Sequence, residues 1–404
     1  MSASPYPDFV PPHRLLLGPG PSLVHPRVLH QLSLPLVGHL DPIFLGLMND
    51  IQALLRRTFQ TQNEFTIALS GTGSAGMEAV IANLIEPGDQ VIVGVNGIFG
   101  ARLATMVERH GGTALSIEVP WGTIISLERL RERLSQSIPI KAVVLVHAET
   151  STGAWQPLED VGALCRDHNA LFIVDAVTSL GGLPVEVDAW GIDACYSGTQ
   201  KCLSCPPGLA PLTLSPRAVR AIQGRQVPCH SWYLDLSLIA EYWTDRTRAY
   251  HHTAPISMLY GLREALRLVH EEGLAARFLR HRLNSEALVA GLHTLGLSPL
   301  PPVGHRLPML NCVTLPDRID DALVRTQLLH NYGIEIGGGL GPLRGRVWRI
   351  GIMGESSRQA HVLTLLHALE EIFTSQGWLT HPGRAVQAAD DIYTDSQRSA
   401  RRSA

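Results

Sequence analysis

The sequence predicts an α/β fold, a mainly parallel sheet with helices on both faces, and three observations carry that expectation. Between about residue 20 and 260, helical periods alternate with short β-rich runs at 66–69, 90–95, 114–119, 142–146, 171–174, 194–196 and 211–214. Residues able to do chemistry gather just past the carboxyl ends of four of these runs, at 72–74, 147–153, Asp175 and Lys201. A sheet of this kind takes its ligand beyond those ends. Finally, 404 residues with 45% hydrophobic content can bury a large core, in two or three domains.

Taken in order, residues 1–19 read as an N-terminal arm, proline-rich to residue 12 and without a charged segment leading into an apolar one. Residues 20–271 form a large domain. Its first strand runs into "SGTGSAGMEA" (70–79), and Met77, Val80, Ile81 and Leu84 then mark one face of a helix. Glycines admit a ligand to the backbone, and the free N–H groups of a helix start attract an anion. A dinucleotide site would also want an acidic residue closing the next strand, roughly 20 residues on. That strand ends instead in Asn96-Gly97, so a dinucleotide loop, a plain structural turn and a cradle for one phosphate all stay open. A long amphipathic stretch, 261–295, leads into a smaller α+β domain, 272–382, with strands at 311–315 and 347–352. There Arg349 alternates faces with Trp348 and Ile350, toward either a crevice or solvent. Residues 383–404 are polar with little apolar periodicity and are expected to be disordered.

A net charge of −3 gives no basic surplus for nucleic acid or an anionic membrane. No apolar run reaches the ~18–20 residues that span a bilayer. Only two of the 33 basic residues are lysines. Lys141 opens the run 142–146 and reads as a solvated strand-end charge, whereas Lys201 follows a strand inside a Ser/Gly/Thr turn. The six cysteines include one C-x-x-C, Cys202 and Cys205, but no second ligand pair, and read as half-buried free thiols rather than a zinc or redox centre.

Asp175 closes the apolar run 171–174. A carboxylate there is costly unless a cation faces it. An N-cap or structural ion pair would account for it, and so would a protonated ring nitrogen. A phosphate cradle, a buried Asp and a lysine on adjacent strand ends are together what pyridoxal 5'-phosphate requires. The glycine loop then holds that cofactor's phosphate. Phe99, after the second strand, is the candidate to stack on its ring, with ordinary core packing as the alternative.

The ordered motifs "LLLGPGPS" (15–22), "LSGTGSAGMEA" (69–79), "EPGDQVIVGVNGIFG" (86–100), "STGAWQPL" (151–158), "VDAVTSLGG" (174–182), "YSGTQKCLSCPPG" (196–208), "YHHTAPI" (250–256), "IEIGGGLGP" and "WRIG" (334–351) resemble the alanine-glyoxylate and serine-pyruvate aminotransferases, class V members of the fold-type I pyridoxal-phosphate enzymes. The resemblance implies a seven-stranded sheet, with Lys201 joined to the cofactor aldehyde and shuttling the proton. It implies that Asp175 pairs with the ring nitrogen, Val177 lies under the ring, and Thr72, Gly73, Ser74 and Gln200 hold the phosphate. Tyr250 and Thr253 would join them from the other subunit of a homodimer. Gly20, Thr150 and Arg349 would hold the substrate carboxylate. The implied reaction moves an amino group from L-alanine or L-serine to glyoxylate or pyruvate; ureidoglycine or kynurenine-type donors, or a non-catalytic module on this fold, are the alternatives. Phe99 stands where the animal enzymes usually have Trp, Ser74 where His is common, and Cys202 and Cys205 replace small residues. The terminal Arg401-Arg402-Ser403-Ala404 does not match a peroxisomal S-K-L signal, which points to the cytoplasm.

Overall fold

A computed structural model describes residues 6, 8–136, 138–243 and 248–403. Its main sheet has seven strands: β1 (Phe65–Ser70), β2 (Gln90–Val95), β3 (Thr113–Glu118), β4 (Ala142–Val146), β5 (Leu171–Asp175), β6 (Ala194–Tyr196) and β7 (Leu209–Leu214). They lie in the order β1-β7-β6-β5-β4-β2-β3. The ladders β3–β2–β4–β5–β6 are parallel, and β7 runs antiparallel to both β6 and β1. The expected mainly parallel sheet is therefore present. β4 and β5 are buried along their whole length, which is why both read as unbroken apolar runs rather than alternating ones. One hydrophobic core fills both faces of this sheet.

A second core surrounds an antiparallel four-stranded sheet that includes Leu310–Thr314 and Val347–Gly351. Its helices are Leu274–Thr294, Asp321–Asn331, Gln359–Ser375 and Arg384–Ser403. The stretch expected as one helix at 261–295 is two, Ile256–Glu272 and Leu274–Thr294, because Gly273 adopts a φ of +84° that breaks the hydrogen-bond ladder.

At the termini one expectation gains detail and one is corrected. The arm is docked at its inner end: Leu15–Leu16 pairs in parallel with Ile334–Glu335, and Leu17 is buried in the second core. Residues 1–5 and 7 lie outside the described residues. The segment 383–404 contains the helix Arg384–Ser403 rather than disorder. Ala385, Ala389 and Tyr393 recur every four residues, forming a narrow stripe that buries against the second core. The polar majority of its residues hid that stripe. Tyr393 also donates a hydrogen bond to Asn284 Oδ1 at 2.8 Å, and Asn284 Nδ2 donates to Ser357 Oγ at 3.0 Å.

Tyr393→Phe should therefore lower the unfolding free energy by ~1 kcal/mol through the lost hydrogen bond. Tyr393→Ala should lower it by ~3–5 kcal/mol through the cavity left behind. Urea denaturation of both variants checks this, and an unpacked tail would leave both silent.

Candidate active site

The carboxyl ends of β1, β2, β4, β5 and β6 open onto one cleft of about 190 Å³. It is lined by Thr72, Gly73, Ser74, Phe99, Thr150, Asp175, Val177, Gln200 and Lys201, so nine of the thirteen residues singled out in the sequence meet there. Gly20 joins them from the docked arm: a Cβ at that position would stand 2.6 Å from Lys201 Nζ. The Lys201 amine donates to the carbonyl of Pro19. Burial and the Arg349 guanidinium lower its pKa to about 8. An amine so placed loses its proton far more readily than an ordinary lysine.

Asp175 sits at the inner end of β5, with Tyr196 as its cross-strand neighbour on β6. Its Oδ1 accepts from the Val177 N–H and its Oδ2 from the Tyr196 hydroxyl, each at 2.9 Å. Burial outweighs both bonds and raises its pKa to about 6. The site thus holds a carboxylate two hydrogen bonds short of comfort, which a protonated ring nitrogen would satisfy.

At the other side of the cleft, Thr72 precedes the helix Gly73–Leu84, whose start carries no side-chain cap. Its first N–H groups are left for an anion. A Cβ at Gly73 would come within 3.1 Å of Val177 Cγ2, so a larger residue there would press on Val177. Among the described residues the Gln200 side-chain oxygen is buried without a partner. Pyridoxal phosphate fits this set: an uncapped helix start for its phosphate, a carboxylate short of a cation for its ring nitrogen and a lysine of lowered pKa for its aldehyde.

Arg349 lies on Val347–Gly351 and is buried, as its alternation with Trp348 and Ile350 allowed. Its Nε donates to the Gly338 carbonyl at 2.7 Å, so the glycine-rich turn holds the side chain. Tyr250 and Thr253 do not line the cleft of their own chain. Tyr250 is exposed, and Thr253 faces a separate recess with Ser70, Gly208 and Tyr233. Their hydroxyls lie 3.2 Å apart. The loop is tethered by a directed chain of hydrogen bonds. The Trp232 carbonyl can only accept, so with neutral rings His251 Nε2 donates to it at 3.1 Å. His252 Nδ1 then donates to His251 Nδ1 at 2.7 Å, and Ser70 Oγ donates to His252 Nε2 at 2.6 Å.

Sequence reasoning missed several residues. Glu149 is wholly buried and accepts from the Phe99 N–H at 3.0 Å, the Gly100 N–H at 3.3 Å, and the Ser151 N–H and hydroxyl at 3.0 and 2.6 Å. It caps the helix Ile98–Arg109 across a separation of fifty residues and so aims Phe99 into the cleft. Burial raises its pKa, and these donors counter part of that shift. Gly97 leaves room for it, because a Cβ there would lie 2.4 Å from Glu149 Cγ. Arg102, one turn after Phe99, lines the cleft with its guanidinium 4.9 Å from the Phe99 ring centroid. Tyr196 looked like strand core yet holds Asp175. The thiols expected to be half-buried are unpaired, but only Cys229 is; the other five are buried. Among the described residues no cluster of His, Cys, Asp and Glu is placed to hold a metal ion.

The family described as Aminotransferase class-V matches residues 37–342. The (S)-ureidoglycine–glyoxylate transaminase of Bacillus subtilis is 43% identical over 411 residues, spanning 97% of this chain and 98% of that protein. The alanine–glyoxylate aminotransferase of Oryctolagus cuniculus is 40% identical, spanning 89% of this chain and 92% of that one. Among solved structures, an alanine–glyoxylate aminotransferase from Nostoc sp. superposes with a TM-score of 0.89 at 51% identity, covering 92% of this chain and 98% of its own.

Asp175 yields a pH-dependent prediction. Its folded pKa of about 6 lies above the ordinary 3.8, so its contribution to stability is fully present below about pH 3.8 and lost as the pH rises through 6. Asp175→Asn keeps the shape, with Oδ1 toward Val177 and the amide toward Tyr196. It should stabilise the cofactor-free protein at pH 7.5 by up to about 3 kcal/mol while weakening cofactor binding. Denaturant titrations at pH 7.5 and pH 4 check it, the gain shrinking toward zero at the lower pH. Equal stability at both would refute it.

Proposed function

Because the chain belongs to the class-V aminotransferases, which use pyridoxal phosphate, we propose that it transfers the amino group of L-alanine or L-serine to glyoxylate, or to pyruvate, giving glycine or alanine and a 2-oxo acid. The observation that carries the choice of small substrates is the tight approach of the docked arm to the lysine. Gly20 lies against the tip of the Lys201 side chain, where a Cβ would stand 2.6 Å from Nζ. The 51% identity to the Nostoc alanine–glyoxylate aminotransferase supports the same donor.

In this reading Thr72, Gly73, Ser74 and Gln200 hold the phosphate, Phe99 and Val177 sandwich the ring, and Asp175 keeps the ring nitrogen protonated. When bound, the cofactor supplies an electron sink that makes the Cα proton of the donor acidic. Arg349 holds the donor carboxylate by a paired contact, with Thr150 and the backbone at Gly20 closing around it. Lys201 would hold the cofactor's aldehyde in the resting enzyme and, as a free amine of lowered pKa, would take the proton from the donor's Cα. Once the 2-oxo acid has left, the same steps run in reverse on the acceptor.

Tyr250 and Thr253, facing away from their own cleft, are assigned to the cleft of a second copy, which makes a homodimer the working unit. Six unpaired cysteines support a reducing compartment, the cytoplasm. Among the described residues no helix is long and apolar enough to cross a membrane. A second reading, ureidoglycine as the donor, is favoured by the Bacillus relative that matches nearly the whole chain.

The test is the visible absorbance of the purified protein with L-alanine, L-serine or ureidoglycine, followed by glyoxylate. Alanine should bleach the cofactor band and glyoxylate restore it. Bleaching by ureidoglycine alone would move the assignment to the second reading, and a protein that cannot be loaded with pyridoxal phosphate would overturn both. Lys201→Ala should still take up the cofactor but lose at least ~100-fold in turnover.

A further inference from the structure

Lys201 and Arg349 belong to different cores, yet under the reading above one must reach the Cα of a substrate whose carboxylate the other holds. A cluster of three charged side chains spans the gap between the two elements. Arg277, buried at the start of Leu274–Thr294, donates from Nη2 to the Cys202 carbonyl at 2.5 Å, one residue past the lysine, and from Nε to the Gly181 carbonyl at 2.9 Å. Its Nη1 meets Glu272 Oε2 at 2.6 Å. Glu272 in turn takes two hydrogen bonds from Arg280, at 2.6 and 2.9 Å. Arg280 Nη1 then donates to the carbonyls of Gly354 at 2.9 Å and Ser357 at 2.5 Å, the turn that follows the Arg349 strand.

That turn sits directly on the lysine loop. The Glu355 N–H donates to Ser204 Oγ at 2.7 Å, and a Cβ at Gly354 would lie 2.0 Å from that oxygen and 2.8 Å from the Cys202 carbonyl. His281 Nε2 accepts the Gly354 N–H at 2.9 Å, its Nδ1 donating to the Arg277 carbonyl at 2.7 Å. From the arm, Ser22 Oγ donates to the Lys201 carbonyl at 2.8 Å. Two guanidiniums sharing one carboxylate gain little net stability over apolar packing, but their fork geometry fixes position.

We propose that Arg277, acting through Glu272 and Arg280, is a positioning residue that sets the distance between Lys201 and Arg349. The proposal rests on the aminotransferase reading. It implies that loosening the cluster slows proton transfer at Cα while leaving the cofactor bound, since a misplacement of ~1 Å costs ~100-fold in rate.

The experiment compares the wild-type holoenzyme with Arg277→Lys and with Arg280→Lys, at the cluster's more exposed end in case the first variant does not fold. Three quantities are read: the pH midpoint of the bound cofactor's visible absorbance, the single-turnover rate with L-alanine, and the isotope effect of Cα-deuterated L-alanine on that rate. The expected result is full cofactor loading, a shifted midpoint, a rate lower by ~10–100-fold and a larger isotope effect. Loaded variants with lower melting temperatures but unchanged midpoint, rate and isotope effect would overturn the proposal and leave the cluster a structural one. A loaded wild-type enzyme that reacts with no amino donor would overturn the aminotransferase reading itself, and this proposal with it.

Discussion

A carboxylate at the inner end of a parallel sheet is costly to bury, and the arrangement of the cleft follows from it. Asp175 keeps two hydrogen bonds, one from the chain just beyond β5 and one from Tyr196 on β6, and burial still drives its proton affinity up. Neither donor carries a full charge, so the ionised form is held at a cost until a cation faces it. The protein thus accepts a destabilised resting state in exchange for a strong preference for one kind of ligand, a flat ring with a protonated nitrogen. Burial works in the opposite sense on Lys201, where the same low-polarity surroundings and a second cation favour the neutral amine. One environment thus tunes an acid upward and a base downward, leaving Asp175 in need of a facing cation and Lys201 ready to give up its proton.

The sheet makes this economical. Five parallel strand ends on one edge bring side chains from residues 72 to 201 into one cleft. β7 enters antiparallel, and its first residue, Leu209, lies beside Ser70 at the end of β1. The chain leaving the lysine loop is therefore tied back to the phosphate loop: the Gly71 N–H bonds the Gly208 carbonyl at 2.9 Å. Phosphate loop and lysine loop are two ends of one ladder rather than independent segments.

What the sequence revealed followed from locality. Strand ends, the glycine loop and the Asp175–Lys201 pair are visible because the residues that define them are adjacent, or because unbroken apolar runs mark the buried parallel strands on which they sit. Glu149 was illegible because its partners are fifty residues away; nothing in "HAETSTG" says which helix its carboxylate will cap. Arg277 was hidden among 31 arginines, most of which sit at the surface. The terminal helix failed for a different reason: its buried stripe is only one residue in four, too thin to register against a polar background, and its stability comes from packing on Leu274–Thr294 rather than from its own composition.

The two cores carry different parts of the chemistry, and so the contact between them matters as much as either. The first core presents the lysine and the carboxylate, the second presents Arg349, and the arm from Leu15 to Leu23 threads between them. Along it, Gly351 donates to the Leu17 carbonyl at 2.8 Å, Ser356 Oγ to the Leu16 carbonyl at 2.8 Å, and Ser22 N–H to the Gln200 carbonyl at 2.9 Å. A short N-terminal segment thus touches both the strand of the arginine and the loop of the lysine within eight residues. Gly20 stands in the middle of it, at the point of closest approach to Nζ. The approach to the lysine is consequently made by a segment anchored in the second core through Leu17 and tied to the lysine loop through Ser22.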